Sequence, residues 1–152
     1  MLNYQIAGTD LNLLCKEVVN DLSSTTQNDV KLLFKPEKDS FIINTDKQRL
    51  RQVIVNLVSN ACKFTTEGEI TISYKQLSTD CLEIRVTDTG IGIATENIPK
   101  LFNRFTKLNS NAKGTGLGLV ICKSIIEHLG GEIGIESELG KGSSFWFTHP
   151  IS

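Results

Sequence analysis

An α/β two-layer sandwich, with helices on one face of a mixed, largely antiparallel sheet, is the fold class this chain's patterning predicts. Three observations carry it. Apolar residues recur at three-and-four spacing in three stretches, Leu11 to Leu22, Leu50 to Phe64 and Leu119 to Leu129. Apolar and polar residues alternate from Cys81 to Asp88, as in a strand buried on one side. Two further strand patterns, Glu132 to Ser137 and Ser143 to His149, flank a turn at Gly140-Lys141-Gly142.

The elements follow in order. Thr9 or Asp10 caps a helix predicted to run to about Gln27, with Leu11, Leu14, Val18, Val19 and Leu22 toward the core. Lys31 to Lys35 and Phe41 to Asn44 are short strands around a turn at Pro36 to Ser40. Asp46 caps a second helix that ends near Phe64, and Thr66-Glu67-Gly68 leads into a strand from Glu69 to Leu77. After the strand ending at Asp88, Ala94 to Leu101 forms a short helix interrupted at Pro99. The last helix, Leu117 to Leu129, stops at Gly130-Gly131.

Bulk properties suit a small single domain covering residues 1–152. The net charge of −1 provides no field for nucleic acid or an acidic membrane surface. Apolar runs are far short of a membrane span, and no signal peptide is visible. Cys15, Cys62, Cys81 and Cys122 have neither metal-ligand nor redox-motif spacing, so reduced thiols and a cytoplasmic location are expected.

Three stretches carry chemistry. On the second helix, Gln52, Asn56, Asn60 and Lys63 form a polar stripe beside the apolar face. Asparagine is a mediocre helix former, so two aligned mid-helix suggest amides held out for a ligand or a metal ion. Asp88 shares the phase of Leu82, Ile84 and Val86, so its carboxylate points inward and needs a partner. Gly90 and Gly92 then let something flat approach the backbone, and the carboxylate suits an exocyclic amine such as adenine N6. Taken singly, a solvated helix face and an Asp-Thr-Gly turn explain these two stretches as well. The third stretch, Gly114-Thr115-Gly116-Leu117-Gly118-Leu119, opens a helix whose free amides suit phosphate. No strand precedes it and no Gly-Lys-Ser/Thr occurs, so neither the Rossmann nor the Walker arrangement applies. Together the three describe an ATP site of neither common type.

In order and spacing, these segments resemble the N, G1 and G2 boxes of the ATP-binding catalytic domain of sensor histidine kinases. Leu101-Phe102-Asn103-Arg104-Phe105 resembles the F box. The resemblance extends from about Asp10 to Pro150 and implies the histidine kinase ATPase-like fold, which gyrase, HSP90 and MutL relatives share. It implies that Asn60 gives its amide oxygen to Mg²⁺, with Asn56 a second polar group at the metal and phosphates. It implies that Lys63 reaches the phosphates and that Phe64 flanks the nucleotide. Asp88 would select adenine in a pocket bordered by Gly90, Gly92 and Ile93. Gly114, Thr115, Gly116, Leu117 and Gly118 would form the phosphate-facing lid hinge, which Arg104 and Lys107 would join on closure. Asn60 is the implied metal residue; Asn56, Asn60, Lys63 and Arg104 are the implied catalytic set.

Gyrase-like and anti-sigma serine kinase relatives carry glutamate one turn before the metal asparagine, whereas this chain has Asn56. An amide cannot act as a general base near neutral pH, which favours a nucleophile with its own lone pair, such as imidazole. The resemblance therefore implies transfer of the γ-phosphoryl group of ATP to a histidine. Its partners would be a dimerising phosphoacceptor domain of the same protein and a downstream response regulator receiver. No nucleic acid or direct membrane contact is implied, and the isolated domain would be monomeric within a homodimeric sensor kinase, for which a membrane anchor is one option. His128 and His149 lack the acceptor context, so a fragment of a larger kinase is expected. The alternatives are an anti-sigma-type serine kinase and a nucleotide-sensing module without transfer. Asn103 to Lys113 is polar throughout except for Phe105, Leu108 and Ala112, and is expected to order only around bound triphosphate.

Overall fold

The structure, a computed structural model, describes residues 3–26, 30–93, 96 and 117–151. Asp10 starts the first helix as predicted. Its Oδ1 accepts from the Asn12 amide at 3.0 Å, and the Ser40 hydroxyl donates to Oδ2 at 3.1 Å. That helix, α1 (Leu11–Leu22), ends earlier than its periodicity suggests and passes into a 3₁₀ turn at Ser23–Thr25. The reason is local. The Ser23 hydroxyl donates to the Val19 carbonyl and the Thr26 hydroxyl to the Ser23 carbonyl, so side chains take over the terminal acceptors.

A short strand that the sequence did not signal, β1 (Ala7–Asp10), precedes α1. It pairs antiparallel with β3 (Ile42–Thr45), placing Thr9 opposite Ile43 and Ala7 opposite Thr45. The strands flanking the Pro36–Ser40 turn therefore do not pair with each other. Instead β2 (Val30–Lys35) runs parallel to β4 (Gly68–Gln76), and α2 (Lys47–Phe64) lies in the connection between them. A parallel pair needs such a crossover, because the chain must return to the end where it began. The rest of the sheet is antiparallel: β5 (Cys81–Asp88), β7 (Gly142–Pro150) and β6 (Ile133–Glu138) complete the order β2-β4-β5-β7-β6. The predicted class, mixed and largely antiparallel, is the one observed.

One face of this sheet is apolar. Ile70 and Ile72 on β4, Leu82, Ile84 and Val86 on β5, and Phe145 and Phe147 on β7 are all fully buried. They form one core with Leu11, Leu14 and Val18 of α1, with Leu50, Val53, Ile54, Leu57, Val58 and Ala61 of α2, and with Leu119, Cys122, Ile125 and Ile126 of α3 (Leu117–His128). Each large side chain so buried contributes roughly 1.5–3 kcal/mol, so helices and sheet are stable only together. Ile121, one of the apolar residues of α3, faces outward instead and Cys122 takes the inward place. A hydrogen-bonded cluster closes one end: the Tyr74 hydroxyl donates to Asn12 Oδ1 at 2.6 Å, and Asn12 Nδ2 donates to the Lys38 carbonyl at 2.6 Å.

Asp46 does two things. Its Oδ1 caps α2 by accepting from the Arg49 amide at 3.1 Å, and its Oδ2 accepts from the Gln5 amide at 2.8 Å. Burial pushes the carboxyl up, but those two amides and the Arg49 charge more than reverse this, leaving it below the ordinary carboxylate range. Replacing Asp46 with Ala should cost about 1–2 kcal/mol in urea unfolding at neutral pH, and Asp46→Asn less. A depressed value means that the stabilisation is present above about pH 4 and is lost as pH falls through the folded value. The gap between wild type and D46A should therefore close in acid; a gap independent of pH would contradict the cap.

Candidate functional site

α2 spans about 27 Å, so its two ends serve different neighbours. The core face fixes its rotation, and that rotation leaves the polar stripe at the margin of the helical layer. Asn56 and Asn60 are half-buried there, while Gln52 and Lys63 are exposed. Phe64 closes the helix, and its side chain lies outside the described residues. The stripe meets the first turn of α3. A Cβ on Gly118 would stand 4.0 Å from Asn56 Nδ2, so this part of α3 sits directly beside the amide. One turn on, the buried Cys122 thiol lies 3.9 Å from the Val53 carbonyl. Burial pushes that thiol up to about 11, and the Asn56 amide partly offsets the shift.

Asp88 ends β5, opposite Ile70 of β4 and Ser143 of β7. Only 2% of it is exposed. Its Oδ1 accepts from the Gly90 amide at 2.9 Å and from the Ser143 amide at 3.2 Å. Its Oδ2 is buried and has no hydrogen-bond partner among the described residues. Burial pushes the carboxyl above its ordinary value, against the pull of the Gly90 and Ser143 amides and the Thr65 hydroxyl. The Thr65 hydroxyl faces the carboxylate, and Thr65 Oγ1 is itself buried. Thr65 directly follows α2, so the end of the amide-bearing helix and the inward carboxylate meet.

Two glycines keep this arrangement compact. Gly142 has φ +97°, and a Cβ there would lie 2.1 Å from the Asp88 carbonyl oxygen. Gly92 has φ +75°, and its Cβ would lie 2.1 Å from the Glu138 carbonyl oxygen. The bare side of Gly92 thus faces the β6–β7 turn, which explains that glycine without a ligand. That turn and the end of β6 hold the segment after Asp88 through two hydrogen bonds. The Gly140 amide donates to the Ile91 carbonyl at 2.8 Å and the Ile93 amide to Ser137 Oγ at 2.7 Å. Ile93 is buried behind them.

The described residues thus include Asn56, Asn60, Lys63, Asp88, Gly90, Gly92, Ile93 and Gly118, with Leu117 opening α3. Arg104, Lys107, Gly114, Thr115 and Gly116, together with the F-box segment, the expected lid and the short helix expected from Ala94 to Leu101, lie outside them apart from Glu96. Ser143, Ser137 and Thr65 were not foreseen. Only the strand register could have pointed to Ser143, since its contribution is a backbone amide. The two histidines are occupied. His149 is buried, with Nδ1 on the Pro150 carbonyl at 2.8 Å and Nε2 on Thr45 Oγ1 at 2.9 Å. A carbonyl only accepts, so Nδ1 carries the proton and Nε2 accepts from the hydroxyl. His128 stacks on Tyr4, with ring centroids 3.8 Å apart.

All four cysteines are free; Cys15 and Cys122 are buried, whereas Cys62 and Cys81 are only partly so. No helix among the described residues is long and apolar enough to cross a membrane, and none of them form a His/Cys/Asp/Glu metal cluster. One asparagine oxygen completed by phosphate oxygens would not require such a cluster, because Mg²⁺ takes few protein ligands.

The family described as histidine kinase-, DNA gyrase B-, and HSP90-like ATPases matches this chain over residues 45–152. The adaptive-response sensory kinase SasA of Thermosynechococcus vestitus is 38% identical over 154 residues, covering 93% of this chain and 38% of SasA. The sensor protein GacS of Pseudomonas syringae pv. syringae is 44% identical over 115 residues, 70% of this chain and 13% of GacS. The chain therefore spans well under half the length of these curated relatives. Among solved structures, the nucleotide-free catalytic domain of histidine kinase ThkA has a TM-score of 0.85 at 31% identity, over 97% of this chain and 96% of that one. Full-length ShkA in complex with AMPPNP has a TM-score of 0.91 at 28% identity, over 99% of this chain and 32% of ShkA.

The raised Asp88 value has a measurable sign. The native state holds this proton more readily than the unfolded chain, so the contribution of Asp88 is most favourable below about pH 4. It declines as pH rises through the folded value. The Asp88→Asn variant has no such titration. Urea unfolding of the unliganded chain between pH 4 and 8 should therefore show wild type losing stability relative to D88N as pH rises. A difference that stays flat would show the carboxylate to be solvated after all.

Proposed function

The chain belongs to the histidine kinase-, DNA gyrase B-, and HSP90-like ATPases, as a catalytic domain of the sensor histidine kinase kind. From that premise we propose that it binds ATP with Mg²⁺ and passes the γ-phosphoryl group to a histidine on a separate dimerisation and phosphoacceptor domain. One observation carries the reading: a buried carboxylate, tied through one oxygen to two amides, has no partner for its other oxygen among the described residues. Such an acceptor fits a ligand's amino group, and the adenine N6 amine is one.

Each residue then has a definable task. Asp88 Oδ2 accepts from N6 and fixes the base. Asn60 offers a neutral amide oxygen to Mg²⁺, a hard cation that accepts oxygen donors. Bound Mg²⁺ neutralises charge on the phosphate oxygens. Asn56, held beside Gly118, lies where the start of α3 offers amides to phosphate. Lys63, exposed in the last turn of α2, is free to reach the phosphates. None of these groups removes a proton, since an amide at position 56 cannot. The chain contributes positioning and charge compensation, and the nucleophile brings its own lone pair.

The engagement of both nitrogens of His149 supports an acceptor outside this chain. The relatives' greater length supports a larger sensor kinase; the proposal further makes it homodimeric, with this domain in the cytoplasm and a response regulator as the downstream partner. A histidine kinase ThkA structure contains a response regulator protein. Arg104, Lys107 and the residues from Gly114 to Leu117 complete the proposed phosphate site.

Guanine presents a carbonyl where adenine presents N6, so GTP would set two acceptors against each other. Calorimetry should show ATP binding more tightly than GTP by roughly 2–4 kcal/mol, with most adenine affinity lost in Asp88→Ala. Equal affinities would end the base assignment. Transfer is tested by supplying a helical hairpin that carries an acceptor histidine together with γ-labelled ATP and Mg²⁺. Acid-labile phosphate should appear on that hairpin, not on a serine substrate nor on His128 or His149. Asn60→Ala should abolish it while leaving adenosine binding largely intact. Label on serine would indicate the serine kinase class, and binding without transfer a sensing module.

A further inference from the structure

β4 and β5 part company at an unusual pair. Ile70 opposite Asp88 is the last pair of their ladder, and the next residues in register are Glu69 and Thr89. A hydrogen-bonded antiparallel pair exchanges two backbone bonds. The first is present, with the Thr89 amide donating to the Glu69 carbonyl at 3.2 Å. The return bond goes elsewhere. The Glu69 amide donates at 3.1 Å to the Thr89 hydroxyl, which stands in for the Thr89 carbonyl. Gly68 makes room for that hydroxyl: its φ is +108°, and a Cβ there would lie 2.0 Å from Thr89 Oγ1. The carbonyls of Glu67 and Glu69 are each 3.5 Å from the same oxygen, long for hydrogen bonds, so the bond from the Glu69 amide fixes its place.

The exchange bears on Asp88. A pair closed by both backbone bonds would carry Thr89 onward as strand. With the hydroxyl in the carbonyl's place, the chain turns at once, and the Gly90 amide comes back to Asp88 Oδ1 at 2.9 Å. That amide is one of the two that hold the buried carboxylate. Resting on the nucleotide reading above, we propose that Thr89 is a positioning residue for base recognition. Its hydroxyl sets the turn that brings the Gly90 amide to Asp88, and so fixes the carboxylate that meets the adenine amine. Thr89 is itself exposed, so it acts through the turn and not through the core. Valine has the same shape as threonine but offers no acceptor. In Thr89→Val the Glu69 amide goes unpaired or recruits the backbone carbonyl and draws the turn straight; either way the Gly90 amide loses its anchor.

Two measurements on the whole chain test this. Amide hydrogen exchange followed by NMR, without ligand, reads the turn. Relative to core strand amides, Gly90 should exchange about 10-fold faster in Thr89→Val than in wild type, and Thr89→Ser should restore its protection. Calorimetry in the presence of Mg²⁺ reads base recognition. Thr89→Val should bind ATP about 3–10-fold more weakly, while GTP, which gains nothing from the carboxylate, should bind as before. Gly68→Ala, whose Cβ would displace the hydroxyl, should show the same pattern. If Thr89→Val does not fold, as judged by circular dichroism, Thr89→Ala takes its place. A merely structural role would lower the urea midpoint but leave the relative Gly90 exchange and the ATP-to-GTP ratio as in wild type, and that outcome would overturn the proposal. So would equal weakening of ATP and GTP. Failure of wild type to bind ATP at all would instead overturn the nucleotide reading.

Discussion

Burying one carboxylate at the end of β5 is the constraint around which this structure is arranged. A charge inside an apolar layer persists only where fixed dipoles meet it. Here the Gly90 amide does so from the same strand end, and the Ser143 amide from the neighbouring strand. The second contact requires β7 to stand with Ser143 opposite Asp88. That close approach leaves no room for a side chain at Gly142. The segment after Asp88 must in turn fold back on the β6–β7 turn, and a Cβ at Gly92 would strike its backbone. One oxygen is thereby committed, while the other has no hydrogen-bond partner among the described residues.

The helical layer answers to a different demand. α2 is oriented by its six fully buried apolar residues, which leave Asn56 and Asn60 where α3 packs alongside. Groups mounted on packed helices are held more precisely than groups on loops. The ends of α2 are tied separately. At its start, Asp46 accepts from Gln5 and the Arg49 guanidinium lies 5.3 Å from the centre of the Tyr4 ring, while its end delivers Thr65 to Asp88. Core packing and site geometry therefore depend on the same helix rotation.

Much of this was legible beforehand. Three-and-four spacing located α2 and α3, and alternation located β5 and the inward phase of Asp88, because both periods are fixed by backbone geometry. Asp10 and Asp46 were readable as caps, since their side chains bond within three residues of sequence. β1 and the parallel pairing of β2 with β4 were not, because a four-residue strand carries little pattern and pairing is a contact between distant segments. Thr65 and Ser143 were invisible for the same reason. One is an ordinary residue after a helix, and the other contributes only a backbone amide.

The sequence by itself determined the helices and their buried faces, the direction of the Asp88 carboxylate, the polar stripe and the order of the motifs. Each of these is set by local stereochemistry or by the period of an apolar pattern. Only the tertiary structure decided which groups meet the carboxylate, that Thr65 is one of them, that Gly118 faces Asn56, and that Gly92 serves the β6–β7 turn. Gly90 aside, those contacts join residues far apart in sequence, from Thr65 with Asp88 to Gly118 with Asn56. Their distances are fixed by strand register and helix packing, and these emerge only when the whole core closes.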